Sequence, residues 1–497
     1  MRHSLFRKKS IDAIMKESEE GIGDAHHSHS GLRKVLGVKD LTFMGIAAVI
    51  GAGIFSTIGA AAYNGGPGVI FLFLMTAVTC GFTALCYAEF ASRVPVAGSA
   101  YTYSYVTFGE MIAWIIGWAL ILEYAIGNIV VAISWSSYFN NVLKAIGINL
   151  PSWLTTGYQT ARDAYYAAVE SNLPVQDLIY TNAPTIGGFH FIINLPAFII
   201  VGLVTLLAYI GFDAISTTAE ECSNPQRDLP RGMIYSLIIC TVIYVIIALV
   251  ITGMVNYKEF AGVTDPLAYV FDKINMQKVG FVISISAVIA ATSVLLVFQL
   301  GQPRIWMTMS RDGLLPASFG KISKKYRTPG FATIVSGILV GGLVLFVDDK
   351  LMTDLTSIGT LFAFVLVSGG VLMLPYREKE TGKFQLPYVN GKWIIPLLFM
   401  VFFYFSFGRF KDAFSNFNNE SYQELLFILF VIMAAVITLF SFLRNYSLIP
   451  VLGVLCCLYL MIEIPAKSWM VFFGWMALGL SIYRLYGYRH SRLSTKS

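Results

Sequence analysis

Charge is what this 497-residue chain has least of. Asp, Glu, Lys and Arg together make up 13% of it, while 56% is apolar. A water-soluble core of this length cannot hide so much apolar surface, so a soluble globular protein is excluded and a polytopic membrane protein is expected. The six cysteines, at 80, 86, 222, 240, 456 and 457, lack the spacing of a zinc site or a disulfide framework and sit in or beside apolar runs, where packing is their expected role. Of the six histidines, His26, His27 and His29 cluster in a polar tail too loosely supported for a metal site. No Gly-x-x-x-x-Gly-Lys-Ser/Thr loop occurs, so ATP-driven transport by this chain alone is not expected. With no nucleophile, metal set or cofactor motif, neither an enzyme nor a cofactor is expected. The first 30 residues hold no apolar core followed by a small-residue cleavage site, so we expect no removable signal peptide and a cytoplasmic N-terminus. The net charge of +6 is spread along loops rather than gathered in a patch, and no nucleic-acid partner is expected.

What the chain has in quantity is apolar segments. About twelve of membrane-crossing character follow a short basic lead-in at 31–40: 41–62, 68–92, 111–138, 191–219, 233–255, 280–309, 331–347, 355–376, 392–408, 424–443, 447–464 and 468–486. With the N-terminus inside, most of the 35 Lys and Arg residues fall on the inner side, most densely in the loop holding Arg304, Arg311, Lys321, Lys324, Lys325 and Arg327. That alternation places both termini in the cytoplasm of a multi-pass protein whose first partner is the lipid bilayer. We expect a polar tail over 1–30, a core over 31–376, accessory helices over 377–486 and a second tail over 487–497. The longest interruption, 142–190, reads as a partly helical outer cap.

Two of these segments carry glycine where a membrane helix can least tolerate it. In Val49-Ile50-Gly51-Ala52-Gly53 the paired glycines each weaken the helix by about 1 kcal/mol relative to alanine, at a depth where freed backbone groups have no water to bind. In Tyr209-Ile210-Gly211-Phe212-Asp213 a glycine and an acid interrupt a second apolar run. Half-helix ends of this kind present N–H groups to a carboxylate and unwound carbonyls to an ammonium group. Close helix packing is the alternative role for such glycines. Glu123 lies deep in the third segment, where a carboxyl group needs a protein or water partner. Its readings are a protonated acid bonded to a neighbouring helix, a pocket residue beside a substrate amine, and a proton carrier. Asp213 could equally cap the half-helix that begins there.

Gly51-Ala52-Gly53-Ile54-Phe55, Cys86-Tyr87-Ala88-Glu89-Phe90, Gly98-Ser99-Ala100-Tyr101, the run Gly117 to Tyr124, Tyr209 to Asp213 with Asn224 to Pro230, and Ser310-Arg311-Asp312-Gly313-Leu314-Leu315-Pro316 stand in one order along the chain. Together they resemble the amino acid-polyamine-organocation superfamily, and within it the bacterial branch of the cationic amino acid transporter family. The resemblance implies an all-α, leucine-transporter-type inverted-repeat bundle. It also implies a permease, in bacteria of the inner membrane, that moves L-amino acids by alternating access, with protons as a candidate coupling ion. It assigns the carboxylate to the N–H groups of Ala52 and Gly53, the amine to the carbonyls of Val49 and Ile210, and the pocket lining to Glu123 and Tyr209.

The chain departs from that pattern in one place. Asn194-Leu195-Pro196-Ala197 resembles the start of the family's fourth helix, yet within a dozen residues it runs into what resembles the middle of the sixth. The expected bundle therefore has about 12 spans rather than the 14 of that branch, with an internal deletion near residue 207. The lost fifth helix carries, in proton-coupled relatives, a lysine that substitutes for a sodium ion. A protein that inserts but cannot complete a transport cycle is the second expectation.

Overall fold

The computed structural model describes residues 7–10, 37–94, 99–210, 222, 224–323, 328–347, 349–374, 383–415 and 422–495. The chain is helical almost throughout, as an apolar sequence in lipid must be if its backbone is to satisfy itself. Helix α1, Val38–Ala52, starts where the Asp40 carboxylate accepts from the Gly37 N–H at 2.9 Å, and it runs into a π-helical turn at Gly53–Thr57 and then α2, Ile58–Gly65. A 3-10 turn at Gly66–Gly68, with Gly66 at φ +54°, leads into α3, Val69–Arg93. Next come α4, Ser99–Thr107, and α5, Glu110–Ala145. The stretch expected to form a partly helical cap holds α6, Tyr158–Glu170, and a two-stranded hairpin, β1 Thr185–Ile186 with β2 Phe189–His190. Helix α7, Leu195–Ile210, is followed by α8, Pro225–Met254, the short α9, Pro266–Lys273, and α10, Gln277–Arg311. The remainder is α11, Gly330–Val344; α12, Asp349–Met373; α13, Ile394–Ser415; α14, Tyr422–Arg444; α15, Leu448–Ile462; and α16, Ala466–Ile482.

Each of the expected apolar segments carries a helix, but the helices differ in length. Among the described residues seven helical runs are long and apolar enough to cross a membrane, and α15 with the run Ala466–His490, bent by 113°, makes an eighth. Leu195–Leu206 in α7 and Gly330–Val344 are shorter apolar helices. This count covers the described residues alone; residues 211–221, which follow α7, lie outside them, and α2 and α3 join through a single tight turn.

The bundle is built around α5. Of its most apolar window 78% is buried, against 22% for α8 and 6% for α13, so α5 is a core helix and α13 a peripheral one. Helix α10 lies along α5, and small residues set how closely the helices approach, as is usual where lipid supplies no hydrophobic drive between them. A side-chain carbon on Gly479 of α16 would lie 2.3 Å from the Trp118 ring, so only glycine admits the stacked pair Trp118–Trp475 there. The two indoles lock reciprocally: Trp118 Nε1 donates to the Trp475 carbonyl at 2.8 Å, and Trp475 Nε1 to the Trp118 carbonyl at 2.9 Å.

Candidate functional site

The backbone does not unwind at Gly51–Gly53. It stays helical and widens at Gly53 into the π turn, which shifts carbonyls out of the regular ladder without opening the chain. Hydroxyl groups from two other helices gather on that turn. The Val49 carbonyl accepts from the Gly53 N–H and from the Tyr244 hydroxyl of α8, the latter at 3.0 Å. The Phe55 carbonyl is reached by the Tyr138 hydroxyl at 3.1 Å and the Ser134 hydroxyl at 3.2 Å, both from α5. Ser134 has one proton to give, and the Thr264 carbonyl lies closer, at 2.6 Å, which leaves Tyr138 as the donor to Phe55. The Thr57 hydroxyl donates to the Gly53 carbonyl at 3.1 Å. Ser56 Oγ, in the same turn, is buried with no hydrogen-bond partner among the described residues. A carbonyl-rich helical turn fringed by hydroxyls, with one hydroxyl to spare, can bind a small ligand bearing N–H donors and a polar acceptor.

The approach to the turn is covered by the segment that begins α9. Ser137 and Thr264 hydroxyls lie 2.7 Å apart, and the Asn141 amide donates to the Asp265 carboxylate. Asp265 stands outside the long apolar helices, and burial pushes its carboxyl above the ordinary carboxylate range, opposed by the Asn141 hydrogen bond.

Glu123 contacts a different helix. Its Oε1 accepts from the Thr360 hydroxyl of α12 at 2.7 Å, its Oε2 is buried without a partner among the described residues, and Gly359 faces its Cβ. The contacts of Glu123 are thus with α12, while those of Val49 and Gly53 are with α8. Of the other expected site residues, Ile50, Gly51 and Ala52 lie in the last turns of α1, and Tyr209 and Ile210 in the last turn of α7; Gly211 and Asp213 lie outside the described residues. The sequence reading did not anticipate Tyr244, Ser134 or Tyr138. Each is a lone hydroxyl in an apolar run, and the one available signal was that α5 carries Ser134, Ser136, Ser137 and Tyr138 in close succession.

A second polar cluster closes one end of the bundle. Glu110, 1% exposed, accepts from Tyr105 at 3.1 Å, Tyr483 at 3.0 Å and Ser491 at 2.5 Å. Beside it Asp312 accepts from Tyr101 at 2.6 Å and pairs with Lys9 at 2.6 Å. The Glu110 N–H donates to the Arg7 carbonyl at 2.8 Å, and the Arg492 N–H to the Asp312 carbonyl at 3.1 Å, so segments near both chain ends meet on α4, α5 and α10. Deeper in the core, Asn128 donates to Gln299 at 2.6 Å, Gln302 to the Ile121 carbonyl at 3.1 Å, and Ser336 to Gln302 at 2.5 Å. Among the described residues no group of three or more His, Cys, Asp or Glu could hold a metal ion.

A bundle with seven helical runs long and apolar enough to cross a membrane among the described residues defines a polytopic membrane protein. The amino acid permease family model matches residues 36–200 and 164–437, and the model for the C-terminus of amino acid permeases matches 446–491. The chain belongs to the amino acid permease family. It is 32% identical to the branched-chain amino acid permease BcaP of Bacillus subtilis (strain 168), over 99% of this chain and 100% of that one. It is 31% identical to the methylthioribose transporter of the same organism, over 99% of each. It is 29% identical to the vacuolar cationic amino acid transporter 4 of Arabidopsis thaliana, over 99% of this chain and 97% of that one. The protein is accordingly a multi-pass amino acid transporter and not an enzyme.

Proposed function

We propose that the chain moves L-amino acids by alternating access around the turn at Val49–Gly53, with its termini in the cytoplasm and 31–376 as the moving core. The observation that carries this is the widened turn at Gly53, around which the Val49 and Phe55 carbonyls also accept from the exchangeable hydroxyls of Tyr244 and Tyr138. The amine of the substrate takes the Val49 carbonyl. Neutral aliphatic substrates are favoured, because Glu123, the acid that would neutralise a basic side chain, is bonded to Thr360 on α12. Protons are the proposed coupling ion, and Glu123, with one oxygen unpartnered, is their proposed carrier.

A thermal-shift series with L-leucine, L-alanine and L-arginine tests the site and its preference together. Stabilisation by leucine and not by arginine is expected. A shift with arginine alone would exclude a neutral-substrate pocket.

Two observations favour the second reading, a chain that inserts but does not complete the cycle. The match to the branched-chain permease spans 529 aligned positions against a chain of 497 residues, and the two family-model segments overlap between 164 and 200. The alignment length supports residues missing from this chain, and the overlapping segments are in keeping with a deletion near residue 207. Restoring that segment is the direct comparison for any transport measurement.

A further inference from the structure

Tyr244 stands in the middle of α8 and reaches the turn from outside α1. Its hydroxyl donates to the Val49 carbonyl at 3.0 Å and lies so close over Gly53 that a side-chain carbon there would sit 1.3 Å from the hydroxyl oxygen. Phe73 of α3 packs against the ring, centroids 5.3 Å apart at 57°. The space that glycine leaves open at position 53 is therefore filled by this hydroxyl. The Val49 carbonyl has two lone pairs and both are engaged, one by the Gly53 N–H, which it shares with the Ile50 carbonyl, and one by Tyr244. A ligand N–H can bind it only by displacing one of them. The Gly53 N–H is fixed in the helix, whereas the tyrosine hydroxyl sits on a side chain that can rotate away.

We propose that Tyr244 is a placeholder that selects for an amine: its hydroxyl holds the Val49 carbonyl in the empty transporter and yields it to the ammonium group of the substrate. The proposal rests on the reading of Val49–Gly53 as the substrate site. A charged N–H donor makes a hydrogen bond about twice as strong as a neutral hydroxyl does, so an ammonium group displaces Tyr244 while a neutral hydroxyl or a water gains nothing by doing so. Because the exchange replaces one donor by another, the carbonyl is satisfied in both states and the turn stays closed.

The test uses the full chain in detergent beside Tyr244→Phe, which keeps the ring against Phe73 and removes only the hydroxyl. Affinities are measured by titration calorimetry for L-leucine, L-alanine and L-arginine, and for 4-methylpentanoate, which is leucine without its amine. With no placeholder to displace, the amino acid that binds best should bind about fivefold tighter to Tyr244→Phe. The affinity for 4-methylpentanoate should not change. Tyr244→Leu should shift amino acid affinity in the same direction, which keeps the test sound if one variant folds poorly. Equal or weaker amino acid binding by both variants would overturn the placeholder while leaving the site in place. A parallel gain for 4-methylpentanoate would overturn the selection for an amine. If no chain binds any of the four compounds, the placeholder and the site both fall.

Discussion

The Glu123 carboxylate accepts a hydrogen bond at 2.7 Å from the hydroxyl of Thr360, 237 positions further along the chain. This contact joins α5, the most buried helix, to α12 at a point where Gly359 lets the two approach. It gives the acid of the third segment a partner on another helix. A buried carboxyl with one partner and one free oxygen has little to spare.

Thr360→Val should accordingly destabilise the protein, because it leaves both Glu123 oxygens unpaired at nearly constant side-chain volume. The expected loss is about 1–3 kcal/mol. Thermal unfolding in detergent measures it, and the double variant Thr360→Val/Glu123→Leu should recover part of the loss, since removing both partners leaves no orphan.

Gly53→Ala should be costly for a local reason. The added carbon would fall on the Tyr244 hydroxyl, and overpacking of this kind costs about 1–3 kcal/mol. Adding Tyr244→Phe, which removes the oxygen nearest the added carbon and keeps the ring, should recover part of the unfolding temperature, whereas it should not rescue an alanine placed at Gly479, where the obstacle is Trp118.

The cluster at Glu110 predicts a role for the end of the chain in holding the bundle together. Glu110→Ala leaves the Tyr105, Tyr483 and Ser491 hydroxyls without their shared acceptor, at an expected cost of about 3 kcal/mol. Ser491→Ala removes one of three donors and should cost less. Limited proteolysis of the C-terminal segment gives an independent reading, with faster cleavage expected in Glu110→Ala than in Ser491→Ala.

Asp265 supplies a pH dependence whose sign is fixed by its surroundings. Burial raises its carboxyl above its ordinary value, so the folded state binds the proton more tightly than the unfolded chain does. Its charged form therefore weakens the fold at neutral pH, and stability is gained as the pH falls through the raised pKa towards 3.8, the ordinary value for Asp. Asp265→Asn should remove this contribution, seen as a flatter dependence of unfolding temperature on pH across the acidic range.

The helices were legible because lipid leaves an apolar chain few choices, and each expected segment carries one. The position of the first turn was legible too, since paired glycines inside Val49–Phe55 weaken the ladder where it then widens. Its form was not, because glycine makes a π turn as accessible as an unwound one, and packing by α5 and α8 decides between them. What the turn binds was hidden for a different reason. Tyr244, Ser134 and Tyr138 are hydroxyls in apolar helices, and their meaning comes only from what lies across the helix interface. Glu123 was singled out by the cost of a buried charge, which says that it needs a partner but not which helix provides it.

Counterflow of radiolabelled amino acids in proteoliposomes tests the central claim most directly, with the chain as it stands beside a version carrying the proposed missing segment restored near residue 207. The account predicts accumulation of labelled L-leucine by the present chain, above protein-free liposomes and to the level of the restored one. Accumulation by the restored version alone would contradict it and identify the present chain as a membrane protein that folds without transporting.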